Sequence, residues 1–147
     1  MKKVAVAFAT IILSTIPTGT FAEQATTFGP YTIHYNALST DSIAPAVAHA
    51  YGITRSKNRA LVNISVLREQ MGTHNQPIAA KVSGTATNLS AQLQSLDFRQ
   101  AGEGGAIYYI AELGVSNRET LRFRIEVTPE GRADTHVVEF EQQFFTD

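Results

Sequence analysis

The chain has four histidines and no cysteine, so a metal or catalytic site would have to be assembled from those histidines and nearby carboxylates. His34 and His136 fall in strand-like stretches, His49 in a helical one and His74 in a polar loop. None stands at a ligand spacing such as His-Glu-x-x-His. His136 and Glu139, three apart in an extended segment, point to opposite faces. No metal and no cofactor are therefore expected. No serine lies in a Gly-x-Ser-x-Gly elbow, and Gly114-Val115-Ser116 reads as a hairpin loop. Gly102-Glu103-Gly104-Gly105 has the glycines of a phosphate cradle, but no helix or lysine follows and Glu103 would repel an anion. It reads as a hairpin turn, and the chain reads as a non-enzyme with no catalytic residues.

Two clusters could bind rather than react. Tyr51, Arg55, Lys57 and Arg59 gather three cations beside an aromatic ring, where a planar guanidinium could hold a carboxylate or phosphate of a partner. The competing account is a solvated loop. Arg122 and Arg124 alternate outward along a strand, and cross-strand pairing with Glu139 and Glu141 accounts for them better than ligand binding does.

The elements that must position these residues are nearly all strands. The stretch Gly104 to Leu113 joins β-branched and aromatic residues behind a glycine turn and reads as a central strand with apolar groups on both faces. Leu121, Phe123, Ile125 and Val127 alternate with Arg122, Arg124, Glu126 and Thr128, and pairing with the central strand is expected. Further strands are predicted at Tyr31–Tyr35, Ala60–Leu67, Ile78–Thr85, Leu96–Arg99 and His136–Gln143. Pro30 puts the first near a sheet edge, after a loose leader over Glu23–Thr27. Leu61 and Leu67 break the alternation of the Ala60 strand. The small residues Ala80 and Gly84 suggest close approach by a facing sheet. Thr87–Gln94 reads as a single turn. One short helix is expected from Ile43 to Tyr51, entered through Ser39-Thr40-Asp41-Ser42 and Pro45, stopped by Gly52, and lidding one end of the sheets. The fold class is all-β: an immunoglobulin-like antiparallel β-sandwich of about seven strands.

Residues 1–22 read as a cleaved signal peptide. Lys2 and Lys3 precede an apolar run over Val4–Ile16, too short to span a bilayer comfortably, and cleavage is expected after Ala22. Residues 23–147 then form a single domain of 125 residues with 10 basic and 13 acidic side chains, a formal charge of −3. That balance speaks against nucleic acid as a partner. Without cysteine the domain carries no lipid anchor and no disulfide, and its stability must come from core packing. Asn63-Ile64-Ser65 and Asn88-Leu89-Ser90 match the glycosylation sequon but are discounted, Asn63 because it falls within a strand.

Several runs resemble the DUF4426 family of small exported proteobacterial proteins. They are Phe28-Gly29-Pro30-Tyr31-Thr32-Ile33-His34-Tyr35-Asn36, Ala50-Tyr51-Gly52-Ile53, Arg55 to Leu67, Leu96-Asp97-Phe98-Arg99, Gly104 to Glu112 and Glu119 to Phe123. The resemblance implies a secreted domain of unknown function and supplies no catalytic residue. The expectation is a periplasmic, non-enzymatic module that binds a protein or envelope component through a sheet edge or the Tyr51–Arg59 surface. A small-ligand carrier using the space between the sheets is the alternative, and an unrecognised hydrolase stands third.

Overall fold

A computed structural model describes residues 24–147, and the predicted leader with its cleavage site lies outside them. Ten strands form two antiparallel sheets. The larger has six strands in the order β1 (Gln24–Phe28), β2 (Tyr31–Ser39), β3 (Arg59–Arg68), β8 (Tyr108–Gly114) and β7 (Arg99–Ala101), with the two-residue β4 (Gln76–Pro77) also paired to β3. The smaller runs β10 (His136–Phe144), β9 (Glu119–Pro129), β5 (Ala80–Asn88) and β6 (Leu93–Leu96). A β-sandwich results, as the alternation of apolar and polar residues predicts.

The sheets face each other across one core. Ile33, Val62, Ile64 and Val66 from the larger sheet meet Leu121, Phe123, Ile125 and Val127 from the smaller, all with no exposed surface. Phe123 stacks on Phe140 with centroids 4.9 Å apart, and Tyr35 packs on Phe140 at the same distance. The Tyr109 hydroxyl crosses from the larger sheet to accept the Ala80 N–H at 2.8 Å, so the start of β5 is tied to β8 by a hydrogen bond as well as by packing.

Several expectations need correction. The supposedly loose leader forms β1, which pairs along its whole length with β2 from Gln24 opposite Tyr35 to Phe28 opposite Tyr31. The Tyr31 strand is consequently one position in from the edge. Strand β8 does not pair with β9: it lies between β3 and β7, and Val115–Arg118 carries the chain to the other sheet. The centre of the larger sheet is β3, flanked by β2 and β8. The expected total of about seven strands rises to ten because β1 is added, Leu96–Arg99 divides between β6 and β7 in different sheets, and β4 separates from β5 as the chain crosses at Ile78–Ala79. A continuous period-two pattern cannot show such crossings, since each short strand keeps its own alternation.

Gly84 is also closely approached, but from within its sheet. A Cβ there would lie 2.7 Å from Ile125 Cδ1 and 2.8 Å from the Arg124 carbonyl oxygen, and Ile125 is its cross-strand partner. The expected turn between β5 and β6 is present: Asn88 Oδ1 accepts the Ser90 and Gln92 amides at 3.0 and 2.9 Å, closing it from inside.

Candidate functional site

The helix is shorter than expected and sits elsewhere. A 3-10 turn at Thr40–Ser42 precedes α1 at Pro45–Ala50, and the pair lies on the outer face of the larger sheet instead of capping the sandwich. Ala48 and Ile53 are buried there against Leu61 and Ile110, forming a second apolar cluster with Ile43, Tyr51 and Ala101. This placement explains why Leu61 breaks the alternation of β3: the inward residues are Ala60, Val62, Ile64 and Val66, and Leu61 faces the helix. Leu61 and Ile110 are 6% and 5% exposed, so each contributes about 1.5–3 kcal/mol of burial on a face that would otherwise be wet.

The coverage is incomplete, and an open groove of about 180 Å³ remains between α1 and the sheet. Its floor is Leu61, Asn63 and Ile110, and its helical wall Ile43, Val47 and Tyr51. Val47 and Tyr108 stand at its rim, 44% and 37% exposed. Beyond Tyr108 a second depression of about 260 Å³ continues over Ser65, Leu67 and Ile107. The Asn63 and Asn36 side chains, cross-strand partners in β3 and β2, each hold a carboxamide oxygen shielded from solvent with no hydrogen-bond partner.

A charged cluster adjoins two residues of the groove floor, with Glu112 opposite Leu61 and Arg99 opposite Ile110. Glu112 of β8, 17% exposed, lies 3.5 Å from Arg59 Nη2 and 4.0 Å from Arg99 Nη2, and its Oε1 accepts the Thr54 amide at 3.1 Å. Arg99 also donates to the carbonyl of Tyr51 at the end of α1. Register sets the arrangement: Arg99 is opposite Ile110, and Ile110 is opposite Asn63, so cation, apolar floor and amide form one row across three strands. Arg59 Nε is shielded and unpartnered as well.

The four expected site residues are thus distributed among different tasks. Tyr51 is half-buried, lines the groove and closes the helix. Arg55 is a clamp: its Nε and Nη2 each donate at 2.8 Å, to the carbonyls of Ile43 and Asp41, holding the turn that leads into α1. Arg59 pairs with Glu112, which stands opposite the groove residue Leu61, and Lys57 is exposed. Sequence reading missed Arg99, Glu112, Ile110 and Asn63. The apolar groups on both faces of β8 and the misplaced Leu61 were the available signal, because a strand apolar on both faces must be covered on both. The Arg122–Glu141 pair at 2.8 Å and the Arg124–Glu139 contact at 3.7 Å support the cross-strand account of these charges, although Arg124 lies closer, at 2.7 Å, to Glu126 of its own strand. His136 stacks on Phe28 with centroids 3.3 Å apart, and among the described residues no group of three or more His, Asp or Glu side chains gathers to hold a metal.

Comparison with solved structures shows similarity to a DUF4426 family protein from Pseudomonas aeruginosa PAO1, with 35% identity, a TM-score of 0.72, and coverage of 85% of this chain and 96% of that one. The fold is also similar to FetP of uropathogenic Escherichia coli strain F11, recombinantly expressed in the periplasm, at 11% identity, a TM-score of 0.60, and coverage of 84% and 94%. A copper-bound variant of FetP gives 11% identity, a TM-score of 0.58, and coverage of 84% and 95%. None of the curated proteins matches the chain. The family model described as a domain of unknown function, DUF4426, matches residues 25–147, and the chain belongs to the DUF4426 family.

Proposed function

We propose that the protein is a non-enzymatic, periplasmic binding module for an envelope component, and that its binding surface is the groove between α1 and the outer face of the larger sheet. The observation that carries this reading is that the sandwich core is closed with fully buried side chains while the outer face retains an apolar groove with exposed Val47 and Tyr108 at its rim. Exposed apolar surface concentrated in a concave site beside a few polar groups is the usual form of a binding site. The carrier alternative keeps its ligand but changes its place: the space beneath the helix lies outside the sandwich, not between the sheets. The periplasmic assignment draws on the leader sequence, in which Lys2 and Lys3 precede an apolar run. Copper is not carried over from the FetP variant, because similarity at 11% identity speaks for the fold alone.

The test is site-specific photo-cross-linking in cells, with the photoreactive residue at Val47, at Tyr108, or at Leu93 on the other sheet. Val47 and Tyr108 should yield a common adduct that Leu93 lacks. The reading is overturned if all three positions give the same pattern or the groove positions give none.

A further inference from the structure

We infer that the groove takes a single-chain amphiphile with an anionic head and a hydrogen-bond donor beside it, as in an N-acyl amino acid. This rests on the proposed binding surface and specifies its ligand. The size argues for one narrow chain, since about 180 Å³ is smaller than the roughly 300–1,000 Å³ of sites for drug-sized molecules. The wall and floor, from Ile43, Val47, Leu61 and Ile110, offer a hydrocarbon chain only apolar contact.

The polar border selects the head. Two cations touch residues that line the groove, Arg99 through the Tyr51 carbonyl and Arg55 through the Ile43 carbonyl, with Glu112 4.0 Å from Arg99 as the opposing carboxylate. Arg55 spends its hydrogen bonds on two neutral carbonyls, which leave its charge uncompensated. The result is an excess of positive charge at one margin of an apolar groove, in a chain whose overall formal charge is negative. Arg99 stands in register beside Ile110 of the groove floor, with its side chain part-exposed. An anion is the head group that these donors accommodate. Asn63 supplies the second requirement. Its occluded oxygen in the groove floor has no donor, and leaving such a group unpaired costs about 1–3 kcal/mol. A ligand N–H or O–H next to the head would relieve it once the Asn63 side chain turns its oxygen into the groove that it lines.

The experiment titrates the full domain, with side-chain methyl resonances observed by NMR, against N-octanoylglycine, octanoate, octanol and octyltrimethylammonium. N-octanoylglycine should shift Val47, Leu61 and Ile110 and bind more tightly than octanoate, and octyltrimethylammonium should bind least. Arg99→Gln should weaken the anions about tenfold and leave octanol unchanged. Asn63→Leu should remove the advantage of N-octanoylglycine over octanoate. Val47→Asp, at a position 44% exposed, should abolish binding of the anions while the methyl spectrum of the core stays dispersed. N-dodecanoylglycine should bind more tightly still and also shift Leu67 and Ile107 in the second depression. If octanol or the cationic amphiphile binds as well as the anions, or Arg99→Gln affects all heads alike, the head-group inference fails while the groove reading stands. If no amphiphile binds although Val47 cross-links to a cellular component, the ligand class is wrong and the surface is right. Failure of both experiments removes the surface itself.

Discussion

At the scale of single residues, the polar groups that matter most do not sit in motifs. Thr40 has no exposed surface. Its hydroxyl donates to the Ser56 carbonyl at 3.0 Å and accepts the Ser56 amide at 2.9 Å, a reciprocal pair that fastens the entry of the helix to the loop before β3. Thr40→Val conserves shape and deletes both bonds, so it should cost about 2 kcal/mol in urea denaturation, whereas Thr40→Ser should recover most of that. An unchanged midpoint for the valine variant would refute the clamp. Gly84→Ala should lose about 1–3 kcal/mol, because the added methyl meets Ile125 Cδ1 and the Arg124 carbonyl in a sheet that cannot give way on both sides. Neither role can be read from residue type. Threonine in Ser39-Thr40-Asp41-Ser42 suggests a helix cap, but its partner lies 16 positions away, and a cap search looks only two or three residues ahead. The Arg55-Lys57-Arg59 cluster was visible as charge, yet its division into a clamp on two carbonyls, an exposed side chain and an ion-pair partner of Glu112 depends on tertiary neighbours that sequence does not place.

At the scale of elements, period-two alternation identified the long strands and failed at the short ones. Strand β9 was legible because Leu121, Phe123, Ile125 and Val127 are buried while Arg122 and Arg124 are exposed. Its pairing with β10 was legible in the Arg122 and Arg124 charges facing Glu141 and Glu139, but its other neighbour was not, because an arch to the opposite sheet and a hairpin in the same sheet can use the same turn residues. Strand β1 was missed because four of its five residues are exposed and its pattern therefore has no apolar face. What holds it is Phe28, stacked between Tyr31 at 5.5 Å and His136. Phe28→Ala should remove about 0.5–1.5 kcal/mol of ring contact together with part of the burial, and should raise protease sensitivity at the N-terminal strand first. Equal sensitivity of wild type and variant there would show that β1 is held by its ladder alone. The Arg122–Glu141 pair is exposed on both sides, so Arg122→Gln should shift the unfolding midpoint very little, in keeping with the small worth of surface ion pairs.

At the scale of the whole molecule, the two sheets are joined by chain crossings at Ile78–Ala79, Asp97–Phe98 and Val115–Arg118, so neither sheet is a contiguous stretch of sequence. One core shared in this way should unfold as one unit, and circular dichroism and tyrosine fluorescence should give coincident urea transitions. Distant pairings such as β3 with β8 and β5 with β9 must close long loops before they stabilise anything, which places refolding in the millisecond-to-second range measurable by stopped flow. Microsecond refolding would contradict a core assembled from such pairings. The stiffness of the molecule is also uneven. β3 is bound on both sides and should exchange its amide hydrogens most slowly, whereas β7 is three residues long and bound on one side only. That short strand carries Arg99 and Ala101, so one margin of the groove is mounted on a compliant rim while its floor belongs to the rigid plate. A ligand can therefore be accommodated by displacing a few residues of the rim, and the sandwich beneath it need not deform.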